Sequence, residues 1–531
     1  MADSPSYDAV VVGAGFAGVY ALYKLRQLNL HVLLIDNAED VGGTWFWNRY
    51  PGASSDVHSV VFRYSFDKDD LRSYPWPNHY VTQPEVKAYL GNVVDKYDLR
   101  KHIQFKTTLL EAEFDELKSL WNIKASDGIT LSARYLVTGV GQLSKKNIPD
   151  IKNFGSFRGD IYHTAAWPEH HDFHGKRVGV IGNGSTGSQV LIELAKEAKH
   201  VTSFQRNPQW NVPNGNRLVT EEERAHINEQ YDEIWDRVKK SAFGFNFLES
   251  TTPTFSVSDE ERKNIFQKAW DEGNGFNFMF GTFSDITTDE EANKAATDFI
   301  KSKILETVKD PQTARKLIPT ELYARRPICN NGYYEVFNQD NVSLVSLKET
   351  PFTELTPTGA VTSDGVEHPL DALVLATGFD AVTGSYTKIN IRGRGGQTLQ
   401  EYWGDNPRSY LGLAVPNFPN LFTISGPNHP FTNAPPQTEA QVDFLTSVIE
   451  RAGTRGTAEA TLEAEKEWTD LSNKIAEGSL FHKTGGWIFG DNIPGKKHNV
   501  LFFFGGLKDY RERQAAIIAD GYRGFIITPL T

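Results

Sequence analysis

Gly13-Ala14-Gly15-Phe16-Ala17-Gly18 and Gly182-Asn183-Gly184-Ser185-Thr186-Gly187 share one spacing, three glycines separated by one residue and then by two. Glycines so placed let a chain turn tightly, bring its backbone against a pyrophosphate and pack a helix closely on a strand. Both segments have the flanking pattern that this chemistry needs. Before the first, Ala9-Val10-Val11-Val12 reads as a buried parallel strand. A helix with Leu22, Leu25 and Leu28 on one side follows, and a second strand, Val32–Ile35, ends in Asp36. Asp36 can accept hydrogen bonds from ribose hydroxyls. The second copy starts at Val178–Ile181 and continues through a helix with Val190, Leu191, Leu194, Ala195 and Ala198 at helical spacing. Its next strand, from Val201, ends at Gln205-Arg206. An acid in the place of Arg206 would repel a 2′-phosphate, whereas a guanidinium grips it bidentately. The second site therefore predicts NADPH rather than NADH.

Positioning two such sites requires two strand–helix–strand units, and 531 residues are enough for two or three domains with real cores. The formal net charge of −12 makes nucleic acid and an anionic membrane poor partners. Cys329 is the only cysteine, which excludes an intramolecular disulfide and a Cys-x-x-Cys redox centre. No metal cluster is expected. The start, Met1–Asp8, is acidic and lacks an apolar run, so no secretory signal is expected there. The end, Thr528–Thr531, carries no recognised address, and the apolar stretches around 10–22 and 500–507 are too short and glycine-broken to span a bilayer. A cytoplasmic protein, monomeric rather than assembled, is the expectation. Strand-like segments ending Leu136-Val137-Thr138-Gly139 and Leu375-Ala376-Thr377-Gly378 close the two units.

The arrangement resembles flavoproteins with two dinucleotide-binding domains, FAD in the first and NADPH in the second. The disulfide reductases among them need a cysteine pair that is missing here. Phe157-Arg158-Gly159-Asp160-Ile161-Tyr162-His163-Thr164-Ala165-Ala166-Trp167-Pro168, between the two units, matches the pattern F-x-G-x-x-x-H-x-x-x-W-P of type I Baeyer–Villiger monooxygenases. Gly42–Gly52, Leu322–Pro327, Gly332–Glu335, Ala376–Ala381, Gly426–Asn428 and Trp487–Gly490 continue the resemblance along essentially the whole chain. Its nearest subgroup is the cyclohexanone monooxygenases. The resemblance implies an α/β fold with two Rossmann-like domains and a helical insertion in the second. FAD would occupy 1–150 and 375–531, NADPH would occupy 151–215 and 323–374, and the insertion, 216–322, would wall the active site.

It also implies a ketone substrate, dioxygen as co-substrate and a lactone or ester product. Insertion beside a carbonyl needs the flavin C4a-peroxide as an anion, because the anion is the nucleophile. A permanently charged arginine favours that anion and can hold the negative oxygen of the adduct. By resemblance that arginine is Arg326, Asp56 is its anionic partner, and Arg325 helps to hold NADPH. Thr44, Trp45, Phe62 and Leu109 match FAD-contacting positions, and the Trp487 indole N–H matches a donor to the nicotinamide ribose. Gln142, Leu143, Met279, Phe431, Ala434 and Phe504 are the expected substrate pocket. Gln142, Ala434 and Phe504 depart from the cyclohexanone-type pattern, the first two standing where leucines are common. His163 and Trp167 read as packing anchors rather than catalysts, and Cys329 as core. The alternative is a flavin monooxygenase that oxidises amine or sulfur atoms, for which a neutral hydroperoxide suffices.

Overall fold

The computed structural model describes residues 6–529. Residues 1–5 and 530–531, on which parts of the leader and C-terminal readings fall, lie outside the described residues. Strand β1 (Ser6–Val12), helix α1 (Phe16–Gln27), strand β2 (Val32–Ile35) and the short helix α2 (Thr44–Trp47) open the first unit. Strand β3 (Arg177–Ile181), helix α3 (Ser185–Glu197) and strand β4 (His200–Gln205) open the second, and α4 (Ala434–Ala452) is a long buried helix near the end.

β1 runs parallel to β2, with Ala9 opposite Val32 and Val12 opposite Ile35, and on its other side parallel to 130–138. Val10 and Val11 are wholly buried, which is why this stretch is apolar without alternation. An antiparallel meander, 109–115, 120–125 and 130–138, extends the sheet, and strands 390–392 and 421–423 return to it from late in the chain. The second sheet is entirely parallel, in the order 342–346, β4, β3, 372–375, 160–163. This is the mixed α/β, two-Rossmann architecture expected.

The Phe157–Pro168 segment is more than a connector. Its centre, Asp160–His163, is the edge strand of the second sheet, His163 pairing with Leu375. Trp167 is 1% exposed and packs on Tyr162 and Phe173, and its carbonyl accepts a 2.9 Å hydrogen bond from Arg49 Nε of the first unit. A second tie joins the units nearby. Tyr50 Oη donates to Gln189 Oε1 on α3 at 2.7 Å, and Gln189 Nε2 donates to the Ser54 carbonyl at 3.2 Å.

Between Glu221 and Leu317 the chain is helical. The pattern from Glu221 to Lys240 divides at Gln230 into two helices, the first opened by a reciprocal Thr220–Glu223 capping box. Asn277–Gly281 forms a π-helical turn, a geometry that tends to occur at functional sites.

Candidate active site

One cleft of about 2030 Å³ runs between the two sheets, several times the volume of a drug-sized pocket. Both glycine loops open into it. Gly13 and Gly182 hold φ near +103° and +104°, where a side chain is disfavoured. A Cβ on Gly18 would lie 1.7 Å from the Gly13 carbonyl oxygen, and on Gly187 2.1 Å from that of Gly182. These third glycines therefore serve helix–strand contact and sit behind the cleft. At Gly184, by contrast, a Cβ would meet nothing within 4 Å, so the backbone is open on the side a phosphate would take. The Gly42-Gly43 pair folds over the first loop, Gly42 N donating to the Ala14 carbonyl at 2.9 Å.

Asp36 ends β2 as expected and is 7% exposed. Its carboxylate accepts from the backbone N–H groups of Ala14 and Ala38, which ties the loop to the strand, and it lines the cleft. Burial raises its pKa against those two hydrogen bonds. Thr44, Trp45, Phe62 and Leu109 line the same part, with the Phe62 ring edge-on to Trp45 at 5.5 Å. On the second unit Ser185, Thr186 and Arg206 line the cleft, and Arg206 is exposed, with no ion pair among the described residues. Open backbone at a helix start and an unpaired cation together suit a phosphorylated dinucleotide.

Arg326 and Asp56 are 270 positions apart in sequence and meet at the cleft wall. Arg326 donates from Nε to Oδ2 at 2.9 Å and from Nη2 to Oδ1 at 2.8 Å, a bidentate fork, while its guanidinium lies 4.9 Å over the Phe276 ring. Burial alone would lower the arginine's pKa, but the Asp56 charge and hydrogen bonds override it and hold the guanidinium above its usual value. Nη1 has no partner among the described residues, and 28% of the side chain remains exposed. Arg325 turns the other way, to Glu321 at 2.5 Å and the Thr484 carbonyl at 3.0 Å, and also lines the cleft. Trp487 lines it too, on a 3₁₀ turn edge-on to Phe502.

The six pocket candidates divide. Gln142, Leu143 and Ala434 line the cleft, Ala434 as the first residue of α4. Phe431 is 4% exposed and sits behind that wall in a cluster with Phe481, Phe502 and Phe504. Met279, 1% exposed, belongs to the π-helical turn and does not line the cleft. Cys329 is buried and unpaired, its thiol pKa raised by burial. His163 is 8% exposed, its Nδ1 accepting from Ala165 N–H, and burial lowers its pKa to about 4.

Several lining residues had no sequence signal. Gln209 accepts from Arg325 at 3.5 Å, and Ser425, Gln437 and Thr438 gather around the start of α4. Only the Pro435-Pro436 pair, favoured in a first helical turn, hinted that a helix begins there.

Residues 7–218 match the flavin-binding monooxygenase-like family. The chain is 51% identical to a phenazine N-monooxygenase of Lysobacter antibioticus, covering 99% of this chain and 98% of that one. It is 50% identical to a Baeyer–Villiger monooxygenase of Pseudooceanicola batsensis, with 98% and 96% covered. The crystal structure of a cyclohexanone monooxygenase from Rhodococcus sp. Phi1 bound to NADP⁺ superposes with a TM-score of 0.98 at 53% identity, covering 99% and 100%. The chain belongs to the flavin-binding monooxygenase-like family. Within it, the similarity extends over the full length to Baeyer–Villiger and cyclohexanone monooxygenases, which bears out the resemblance carried by the linker motif.

Proposed function

We propose that the protein is an FAD- and NADPH-dependent Baeyer–Villiger monooxygenase that converts ketones, cyclic ones included, to lactones or esters with dioxygen. The observation that carries this reading is the Arg326–Asp56 fork, set in one cleft with both glycine loops. Bound FAD supplies the chemistry with dioxygen, and NADPH supplies the hydride. The remaining work falls to side chains. Asp36 and the first loop hold one dinucleotide, and Ser185, Thr186, Arg206 and Arg325 hold the other at its phosphates. The Trp487 indole N–H donates to a ribose.

Asp56 occupies one edge of the Arg326 guanidinium, through Nε and Nη2, and leaves Nη1 as the donor that would face an anionic oxygen of the reacting groups once the cofactor is bound. The arginine cannot discharge in this setting, as a lysine could. The same reading assigns FAD to 1–150 and 375–531, NADPH to 151–215 and 323–374, and the walling insertion to 216–322. No described helix is long and apolar enough to cross a membrane. We read the enzyme as a cytoplasmic monomer, which size-exclusion chromatography with light scattering checks.

A ketone panel with NADPH, scored by product mass for one added oxygen, tests the activity. Similarity to the phenazine N-monooxygenase supports a second reading, oxygenation of heteroaromatic nitrogen. The Arg326–Asp56 fork favours the ketone reaction, because N-oxygenation forms no tetrahedral oxyanion that needs a cation. Phenazine belongs in the same panel. N-oxide formation with no ketone turned over would overturn the primary reading.

A further inference from the structure

The Gln142 side-chain amide lies 2.9 Å from Nε2 of His429, which is 1% exposed. The other ring nitrogen, Nδ1, lies 2.8 Å from the Gly426 carbonyl oxygen. A carbonyl only accepts, so Nδ1 carries a proton. Burial lowers the pKa of the ring to about 4, so at neutral pH it holds one proton only and Nε2 is a lone pair. With Oε1 turned towards that lone pair, two acceptors would face each other. Exchanging the ends of the amide, which are distinguished only by their partners, places the NH₂ against His429. The amide oxygen is then the end left without a partner, on a residue that lines the cleft beside Leu143.

The backbone is held as firmly as the amide. Val382 N–H donates to the Gln142 carbonyl at 2.8 Å, and Val382 has φ of +58°, a left-handed conformation that a β-branched residue rarely adopts. Strain of this kind persists where the surroundings over-determine it, and it gathers at ligand sites.

We propose that Gln142, oriented by His429 and Val382, is a specificity-determining residue whose amide oxygen faces the substrate and selects ketones carrying a hydroxyl or N–H donor. The inference rests on the ketone reading above. It specifies that reading, since an aliphatic side chain at this position would offer only apolar contact.

The test uses holoenzyme, NADPH and the 2-, 3- and 4-hydroxycyclohexanones with their methyl and methoxy counterparts. The best hydroxy isomer should exceed its methyl counterpart in kcat/KM by about tenfold, the scale of one hydrogen bond. The methoxy compound, which accepts but cannot donate, should gain nothing. Gln142→Leu should remove the preference. An unchanged hydroxy-to-methyl ratio in Gln142→Leu, or a methoxy gain equal to the hydroxy gain, would overturn the proposal. Loss of cyclohexanone turnover itself would count against the ketone reading instead. The orientation is checked without turnover by ¹⁵N spectra of histidine-labelled enzyme, with His429→Asn assigning the signal. A neutral His429 ring protonated at Nδ1 at pH 7 supports the proposal, and a proton on Nε2 overturns it.

Discussion

Arg326→Ala removes the fork to Asp56, the stack on Phe276 and the one guanidinium nitrogen left for the cleft. The damage to folding is limited because Asp56 is 18% exposed and water can reach its freed carboxylate. A stability loss of roughly 1–3 kcal/mol follows, too little to unfold a chain of this size. The damage to chemistry is larger. A lost oxyanion donor costs about 10²–10³ in turnover, roughly 2.7–4 kcal/mol, and here the lost donor is also a full charge. Hydride transfer needs aligned rings but no anion-holding cation, so NADPH oxidation should continue, with its electrons diverted to hydrogen peroxide. The assay counts lactone formed and peroxide released per NADPH consumed, on protein shown by absorbance to hold its flavin. Lactone per NADPH should fall at least about 100-fold. Arg326→Lys should recover little, since an ammonium lacks the planar fork that grips both Asp56 oxygens side-on and discharges more readily when desolvated. Near-normal lactone yield from the alanine variant would refute the reasoning and remove Arg326 from the mechanism.

Arg206→Asp should reverse or strongly weaken the preference for NADPH over NADH by placing a like charge at the 2′-phosphate; equal use of the two by the unaltered enzyme would sink the assignment. Ala434 lines the cleft at the start of α4, so Ala434→Leu should cost turnover on fused-ring ketones before cyclohexanone. An unchanged ratio between the two would place Ala434 away from the substrate. Tyr50→Phe leaves the buried Gln189 side-chain Oε1 without its 2.7 Å donor and should lower stability by about 1–3 kcal/mol in urea titrations; an unmoved midpoint would show the tie to be idle. Burial lowers the pKa of His58, His163 and His429 to about 4 each and lifts that of Glu439 to about 7. Near pH 5.5 the unfolded chain binds nearly all three imidazole protons that the folded one refuses, while the folded chain keeps one Glu439 carboxyl proton that the unfolded one sheds. With nearly two more protons bound when unfolded, these four groups should make stability fall on acidification by about 2.5 kcal/mol per pH unit around pH 5.5. Denaturation midpoints that stay level between pH 6.5 and 5 would contradict these burials.

Both nucleotide loops were legible in the sequence because their information is local. Turn, strand and helix follow within thirty residues, and the identity of residue 36 or 206 sets the chemistry at the strand end. The linker motif was legible as a family signature, but not as the edge strand it forms, since parallel pairing with 372–375 joins segments some 210 residues apart. Arg326 and Asp56 could be paired from the sequence only through the resemblance, because nothing local ties residues 270 positions apart. Their forked contact, and the Nη1 it leaves unpartnered, depend on the packing of the two units. The same holds for which aromatic residues face the cleft. Composition marks Phe431, Phe504 and Met279 as apolar, but only the packed arrangement buries Phe431 and Met279 off the cleft lining and leaves Gln142 and Ala434 on it. Local backbone preferences and hydrophobic periodicity are written in neighbouring residues. Which polar atoms find partners across the fold, and which are left for a ligand, is decided only when distant segments close on one another.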